Sequence, residues 1–325
     1  MSDSLRPQTF EEYIGQENTK EILKIAIYSA KTRQKPLPHQ LFSGPPGLGK
    51  TTLAQIIANE MGSNVKITSG PTLEKPGDIA GTLIGLEKGD ILFIDEIHRL
   101  HPTLEEFLYP AMEDKKLDIL IPGENGSNKT LRIDLADFTL IGATTKPGSL
   151  TGPLRSRFQT QHKLEPYSLK ELTQIVINTA ARLPYKIEET AAEEIARRSR
   201  NTPRIANNHL LWVRDFCITE ARETITKTLA KTALNKIGTN DTGLTKTDTA
   251  LLHALVTQYN GGPVGLQTLA LACGEDAAGV EEIQEPYLIQ NQFIKRTAQG
   301  RVALEKAYIL FELPIPSSLC QKTLL

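Results

Sequence analysis

Residues 44–51 read GPPGLGKT, a match to G-x-x-x-x-G-K-[ST] that chance supplies about once per hundred chains of this length. Gly44, Gly47 and Gly49 permit backbone angles that residues with a Cβ avoid, so successive N–H groups can converge on one concavity. The apolar run before the loop and the helical pattern KTTLAQIIA after it predict strand, loop and helix. A helix starting near Lys50 turns its partly positive end toward the same concavity. Phosphate suits that arrangement: Lys50 is placed to reach the β- and γ-phosphates, and the Thr51 hydroxyl to hold Mg²⁺. A nucleoside triphosphate is therefore the expected ligand. NKIG (235–238) lacks the acid of a guanine-reading N-K-x-D, so adenine is the expected base.

Strand-like runs recur through the first half at LFSG (41–44), VKITSG (65–70), ILFIDE (91–96) and FTLIGATT (138–145). Continuous apolar strands separated by helices imply a parallel sheet covered on both faces, an α/β domain. From Ser168 the pattern turns helical. Ser168 with Glu171 and Thr190 with Glu193 fit capping boxes, and Pro203 fits a first helical turn. A polar, glycine-containing break at KIGTNDTG (236–243) marks a second boundary. The expected domains are 1–167, 168–238 and 239–325. At 325 residues the chain has material for several cores. A net charge of −1 confines any nucleic-acid surface to local patches. No apolar run is long enough to span a bilayer, the N-terminus lacks a signal-peptide pattern, and Cys217, Cys273 and Cys320 are scattered, which together predict a cytoplasmic protein.

Chemistry needs more than a phosphate loop. In ILFIDEIH, Asp95 and Glu96 close a buried strand: Asp95 suits support of Mg²⁺, and Glu96 suits the general base that polarises water. A helix-capping acidic pair would look the same. Thr144 or Thr145, at another strand end, can sense the γ-phosphate. Arg155 and Arg157 can reach a neighbouring subunit's phosphate or form surface ion pairs. Arg204 stands in the first turn of a helix, a poor place for a cation unless an anion compensates it. His98 and His101 have no third metal ligand nearby and are expected on a helix surface, and Trp212 is expected in a core. KLDILIPGENGSNKTLRIDL (116–135) reads as a hairpin, on which Ile119 and Ile121 would mark a docking surface if exposed. The tail reads as two helices about CGED followed by a hairpin, a winged helix. Its second helix carries Glu281, Glu282 and Glu285, whereas the wing carries Lys295, Arg296 and Arg301. Contact with the DNA backbone through the wing is the expectation.

Assembled in order, LRPQTFEEYIGQ, GPPGLGKTTLA, SGPTLEKPGD, LFIDEIHRL, LYPAMED, FTLIGATT, LTGPLRSRF, TPRIAN, GGPVGL and EPYLIQ make the chain resemble the RuvB family over nearly its whole length. These are AAA+ ATPases that drive branch migration of Holliday junctions in recombination and repair. The resemblance implies a P-loop AAA+ domain, a helical lid and a C-terminal winged helix. It implies ATP hydrolysis with ATP/ADP and Mg²⁺, a homohexameric ring on double-stranded DNA, and no membrane. Its partners would be a RuvA-like tetramer docked on the 116–135 hairpin and a RuvC-like resolvase. Leu5, Arg6, Gly47, Gly49, Lys50, Thr51, Thr52, Glu113, Asp114, Lys115, Tyr167 and Arg204 would contact nucleotide, Thr145 or Thr144 would serve as sensor, and Arg157 would act as arginine finger with Arg204 as second sensor. Three departures stand out: Gln299 where the family is usually basic, Asn201 before TPR, and no extra arginines between TPRIAN and VRDF. A clamp-loader-type AAA+ machine and a nucleotide-switched winged-helix regulator are the alternatives. Primer–template preference would mark the first and negligible ATPase activity the second.

Overall fold

Strands buried on both faces must be apolar throughout, and ILFID and TLIGAT become the central strands of the sheet in the computed structural model. The structure describes residues 5–122, 128–183 and 185–316, with side chains at 120–129 outside the description. The chain folds into two compact units: Met1–Pro184 with Asn201–Asn208, and Tyr185–Arg200 with His209–Leu325.

In the first unit, α1 (Glu17–Arg33) precedes β1 (Gln40–Ser43), the phosphate loop and α2 (Lys50–Met61), so the helix begins where the loop predicted. β2 (Val65–Ser69), α3 (Pro76–Ile84), β3 (Ile91–Asp95) and α4 (Pro102–Glu113) follow. β4 (Lys116–Pro122) and β5 (Asn128–Asp134) form the expected antiparallel hairpin, and β6 (Thr139–Thr144), α5 (Gly152–Ser156) and β7 (Thr160–Lys163) return to the sheet. The sheet order is β2-β3-β6-β1-β7, all parallel. β7 escapes an apolar-run search because its sequence is TQHK. It holds its place by backbone pairing with β1 and by His162, which is buried, meets Gln40 Oε1 through Nε2 at 2.8 Å and stacks on Phe42 at 5.1 Å. On the hairpin, Ile119 and Ile133 pack against the sheet core, so Ile119 is not a freely projecting group; the Ile121 side chain and the tip lie outside the description. The unit also holds α6 (Leu169–Ala180), whose Ser168–Glu171 capping box forms as expected.

In the second unit, β8 (Lys186–Ile187) leads into α7 (Glu189–Arg197). The Thr190–Glu193 box does not form. The helix starts two residues earlier, after Glu188, so Thr190 falls inside the first turn and its hydroxyl donates to Glu188. α8 (Pro203–Thr219) has proline in its first turn, which belongs to the first unit, and is counted in the second from His209; β9 (Thr224–Ile225) then pairs β8, and α9 (Lys227–Lys236) packs on α7. Trp212 departs from the core expectation: it is 37 % exposed, with its indole N–H donating to the Ala233 carbonyl at 2.8 Å. The tail comprises α10 (Lys246–His253), α11 (Leu266–Ala272), α12 (Ala277–Gly279), α13 (Glu285–Gln290), the wing strands β10 (Ile294–Thr297) and β11 (Gly300–Ala303), and α14 (Glu305–Leu310). Leu251, Leu255, Leu269, Val280, Leu288 and Phe293 fill its core. Cys320 lies outside the described residues.

Candidate functional site

The phosphate loop takes the backbone its glycines allow: φ is 143° at Gly44, 81° at Gly47 and 99° at Gly49, the last being the N-cap of α2. A Cβ at Gly49 would come within 2.6 Å of the Tyr13 hydroxyl oxygen. The Lys50 ammonium is buried over the loop and donates to the Gly44 and Pro45 carbonyls at 2.8 and 3.0 Å. Burial lowers its pKa, an effect opposed by the charges of Asp95 and Glu96.

A cavity of about 270 Å³ opens at this loop, wholly within the first unit. Leu5, Arg6, Gly47, Gly49, Lys50, Thr51, Thr52, Tyr167 and Arg204 all line it, as do Asp95 and Glu96. It lies at the carboxyl ends of parallel strands, where open α/β sheets place their ligands. The donor set fits a nucleoside triphosphate: loop N–H groups at a helix N-terminus, Lys50, and the Arg204 cation on the rim. The Thr51 hydroxyl and the Asp95 carboxylate fit Mg²⁺ that is completed by phosphate oxygens and water. Among the described residues no cluster of three or more His, Cys, Asp or Glu forms an all-protein metal cage.

Glu96 follows β3 at φ 47°, a left-handed angle that costs a glutamate roughly 1–2 kcal/mol. Its Oε2 accepts the Thr145 hydroxyl at 3.1 Å. Thr144 is fully buried, and its Oγ1 meets His98 Nδ1 at 3.0 Å. The two threonines therefore differ: Thr145 contacts the acid directly, and Thr144 only through the histidine. His98 itself corrects the surface expectation. It sits in a 3₁₀ turn, its side chain 8 % exposed, with Nδ1 also 3.2 Å from Glu96 Oε2.

Glu113, Asp114, Lys115 and Arg157 do not line the cavity. Arg157 donates to the Pro153 carbonyl at 2.8 Å and to Glu113 at 3.2 Å, with its guanidinium 4.3 Å from the Tyr109 ring centre. Arg155 is exposed and bonds Gln161. Lys115 turns inward, onto the Met112 carbonyl and over the Phe138 ring, and burial lowers its pKa.

In the tail, Arg296 and Arg301 face each other across the wing strands. Arg296 is exposed and meets Glu281 at 3.0 Å. Arg301 departs from the expectation of a DNA-facing residue: it is 8 % exposed and grips buried Glu285 through two bonds of 3.1 and 2.8 Å. Lys295 is half-buried, and Gln299 is exposed at the wing turn.

Sequence reasoning missed several residues around the cavity. The Tyr13 hydroxyl donates to the Leu48 carbonyl at 3.2 Å and accepts from the Tyr167 hydroxyl at 3.0 Å; burial holds Tyr13 well above the usual phenol range and pushes Tyr167 up to about 12. Arg182 donates to the Arg6 carbonyl at 2.9 Å and to Glu12 at 3.0 Å, bracing the N-terminal segment. No local pattern in EEYIGQ or TAARLP announces either role, because both depend on contacts between distant segments.

The chain matches three family descriptions in succession: "Holliday junction DNA helicase RuvB P-loop domain" at residues 5–164, "RuvB AAA lid domain" at 167–240 and "RuvB C-terminal winged helix domain" at 241–312. It is 54 % identical over 309 residues to the Holliday junction branch migration complex subunit RuvB of Fusobacterium nucleatum, covering 95 % of this chain and 93 % of that protein. Among solved structures it is similar to the Thermotoga maritima RuvB Holliday junction branch migration motor, with a TM-score of 0.86 and 44 % identity over 97 % of this chain and 100 % of that one. A single-site mutant of the Thermotoga protein gives 0.87 and 45 %, over 96 % of this chain and 100 % of that one.

Proposed function

Because the chain belongs to the RuvB family and is an ATP-hydrolysing motor of Holliday-junction branch migration, we propose how its residues divide that work. Leu5, Arg6 and Tyr167 enclose the adenosine, the loop from Gly47 to Thr52 cradles the phosphates, and Arg204 contacts them from the lid segment. Lys50 stabilises the charge that develops on the γ-phosphate. Glu96 accepts the proton of the attacking water as the water oxygen bonds to the γ-phosphorus and the bond to the bridging oxygen breaks. Thr145 is the γ-phosphate sensor, supported by its bond to the same carboxylate. When bound, Mg²⁺ neutralises charge on the phosphate oxygens, with Thr51 and Asp95 holding it.

The observation that carries this reading is that Lys50, Thr51, Asp95, Glu96 and Arg204 line one cavity. Arg157 and Glu113 stand together away from it, which supports a role for both, with Asp114 and Lys115, at the nucleotide of an adjoining subunit in a homohexameric ring. Domains of 1–167, 168–238 and 239–325 follow, supported by the family matches. The winged helix meets the DNA backbone through Lys295 and Arg296, with Arg301 reassigned to its scaffold. The hairpin at 116–135 takes the RuvA-like tetramer, and a RuvC-like resolvase joins the larger assembly. No described helix is long and apolar enough to cross a membrane, in keeping with a cytoplasmic place of work.

A synthetic four-way junction tests the function. The full chain with a RuvA-like partner and ATP should convert it to duplex products, and Lys50→Ala should not. Conversion at the same rate without ATP, or activity confined to primer–template DNA, would overturn the assignment.

A further inference from the structure

The hydrolytic mechanism leaves His98 without a task, yet this side chain is almost fully buried at the centre of the machinery. Its Nδ1 lies 3.2 Å from Glu96 Oε2 and 3.0 Å from Thr144 Oγ1. A carboxylate oxygen carries no hydrogen to give, so Nδ1 is assigned as the protonated nitrogen, its one hydrogen lying between Thr144 Oγ1 and Glu96 Oε2. Thr144 Oγ1 also accepts the Lys146 N–H at 3.0 Å, and Thr144 belongs to β6 in the middle of the sheet, so its hydroxyl oxygen is a fixed anchor for the ring. On the other side, Thr145 donates to the same Glu96 oxygen. Oε2 thus accepts the Thr145 hydroxyl and has the His98 Nδ1, whose hydrogen bond is to Thr144, within ion-pair distance. Oε1 has no protein partner among the described residues and is the oxygen left to take a proton from water. The backbone at Glu96 adds reason for such bracing, since its left-handed φ needs neighbours that over-determine it.

We propose that His98 is a positioning residue for ATP hydrolysis: through Nδ1 it fixes the Glu96 carboxylate in register with β6, so that Oε1 meets the attacking water. This rests on the assignment of Glu96 as general base. His98 does not line the cavity; its effect passes through Glu96. Misplacement of a catalytic group by about 1 Å lowers rates by up to roughly 100-fold, which sets the scale.

The test uses which ring nitrogen does the work. In His98→Asn the amide nitrogen takes the place of Nδ1, and in His98→Gln that of Nε2. Steady-state ATPase of the full chain with DNA should show kcat for His98→Gln and His98→Leu down roughly 10- to 100-fold, and kcat for His98→Asn within about threefold of the parent. KM and the affinity for a fluorescent ATP analogue should stay unchanged in all three. Equal kcat in the Asn and Gln variants, or a fall in nucleotide affinity that accounts for the rate, overturns the proposal; that comparison stands even if the Leu variant misfolds. Glu96→Gln separates the two levels. Loss of turnover in Glu96→Gln alongside full activity in His98→Gln and His98→Leu sinks the positioning role alone, whereas undiminished turnover in Glu96→Gln removes the general-base assignment beneath it. Adding His98→Leu to Glu96→Gln should lower the residual rate no further.

Discussion

Replacing Arg301 by leucine asks whether a wing arginine serves DNA or the fold. Arg301 and Arg296 are cross-strand partners, and opposed like charges destabilise a hairpin unless something answers them. Glu285 and Glu281, one helical turn apart, do so, but at different depths. Side-chain exposures of 10 % and 4 % for Arg301 and Glu285 mean that the mutation strands a buried carboxylate, which costs about 3–5 kcal/mol. At about 4–8 °C per kcal/mol for a domain of this size, the unfolding midpoint of the winged helix should fall by roughly 12–40 °C. Adding Glu285→Leu removes the orphaned charge and should recover most of that loss. Arg296→Gln breaks only a surface pair, so stability should change by less than about 1 kcal/mol. Its effect should appear in DNA binding, as a salt dependence with a slope smaller by about one. Calorimetry of the full chain and duplex binding across a salt series read both quantities. The reasoning fails if Arg301→Leu keeps its midpoint within a few degrees and instead lowers DNA affinity and salt slope as Arg296→Gln does.

Arg157→Ala should abolish turnover on its own, because its side chain lies apart from the cavity of its own chain; mixing it with Lys50→Ala subunits should restore part of the ATPase, and a flat mixing curve would argue against a shared site. Gly49→Ala should lower ATP affinity at least about tenfold, since φ 99° and the Tyr13 hydroxyl at 2.6 Å both oppose a methyl; Tyr13→Phe in that background should relieve only the collision. His162 and His209 are buried neutral, with burial pushing each down to about 4, against about 6.5 when unfolded. Protonation therefore favours unfolding: their contribution is whole above about pH 6.5 and is lost as pH falls toward 4, on the order of 2 kcal/mol per histidine by pH 5. His39, also at about 4, joins His162 in the first unit, so the unfolding free energy read by urea titration should fall about twice as far there as in the second.

Much of the nucleotide site was legible because its requirements are local. A loop that must reach positive φ three times announces itself by glycine, and the helix dipole that follows needs only the next turn. The buried strands ILFID and TLIGAT were legible for the same reason, and so was the capping box at Ser168. β7 was not, because backbone pairing along β1 holds it in the sheet and its side chains carry no apolar signal.

Residue type and spacing alone determined that this chain binds phosphate beside an acidic strand end, since both depend on neighbours in sequence. Which of several equivalent residues does what was settled by the tertiary structure. Arg296 and Arg301 are the same amino acid five positions apart, yet one stays in water and the other is sealed against Glu285. Thr144 and Thr145 are adjacent, yet one anchors an imidazole and the other touches the carboxylate. The reason is physical: an ionisable or hydroxyl side chain takes its role from the burial and partners around it, and those partners arrive from β3, β6 and α13, far away along the chain.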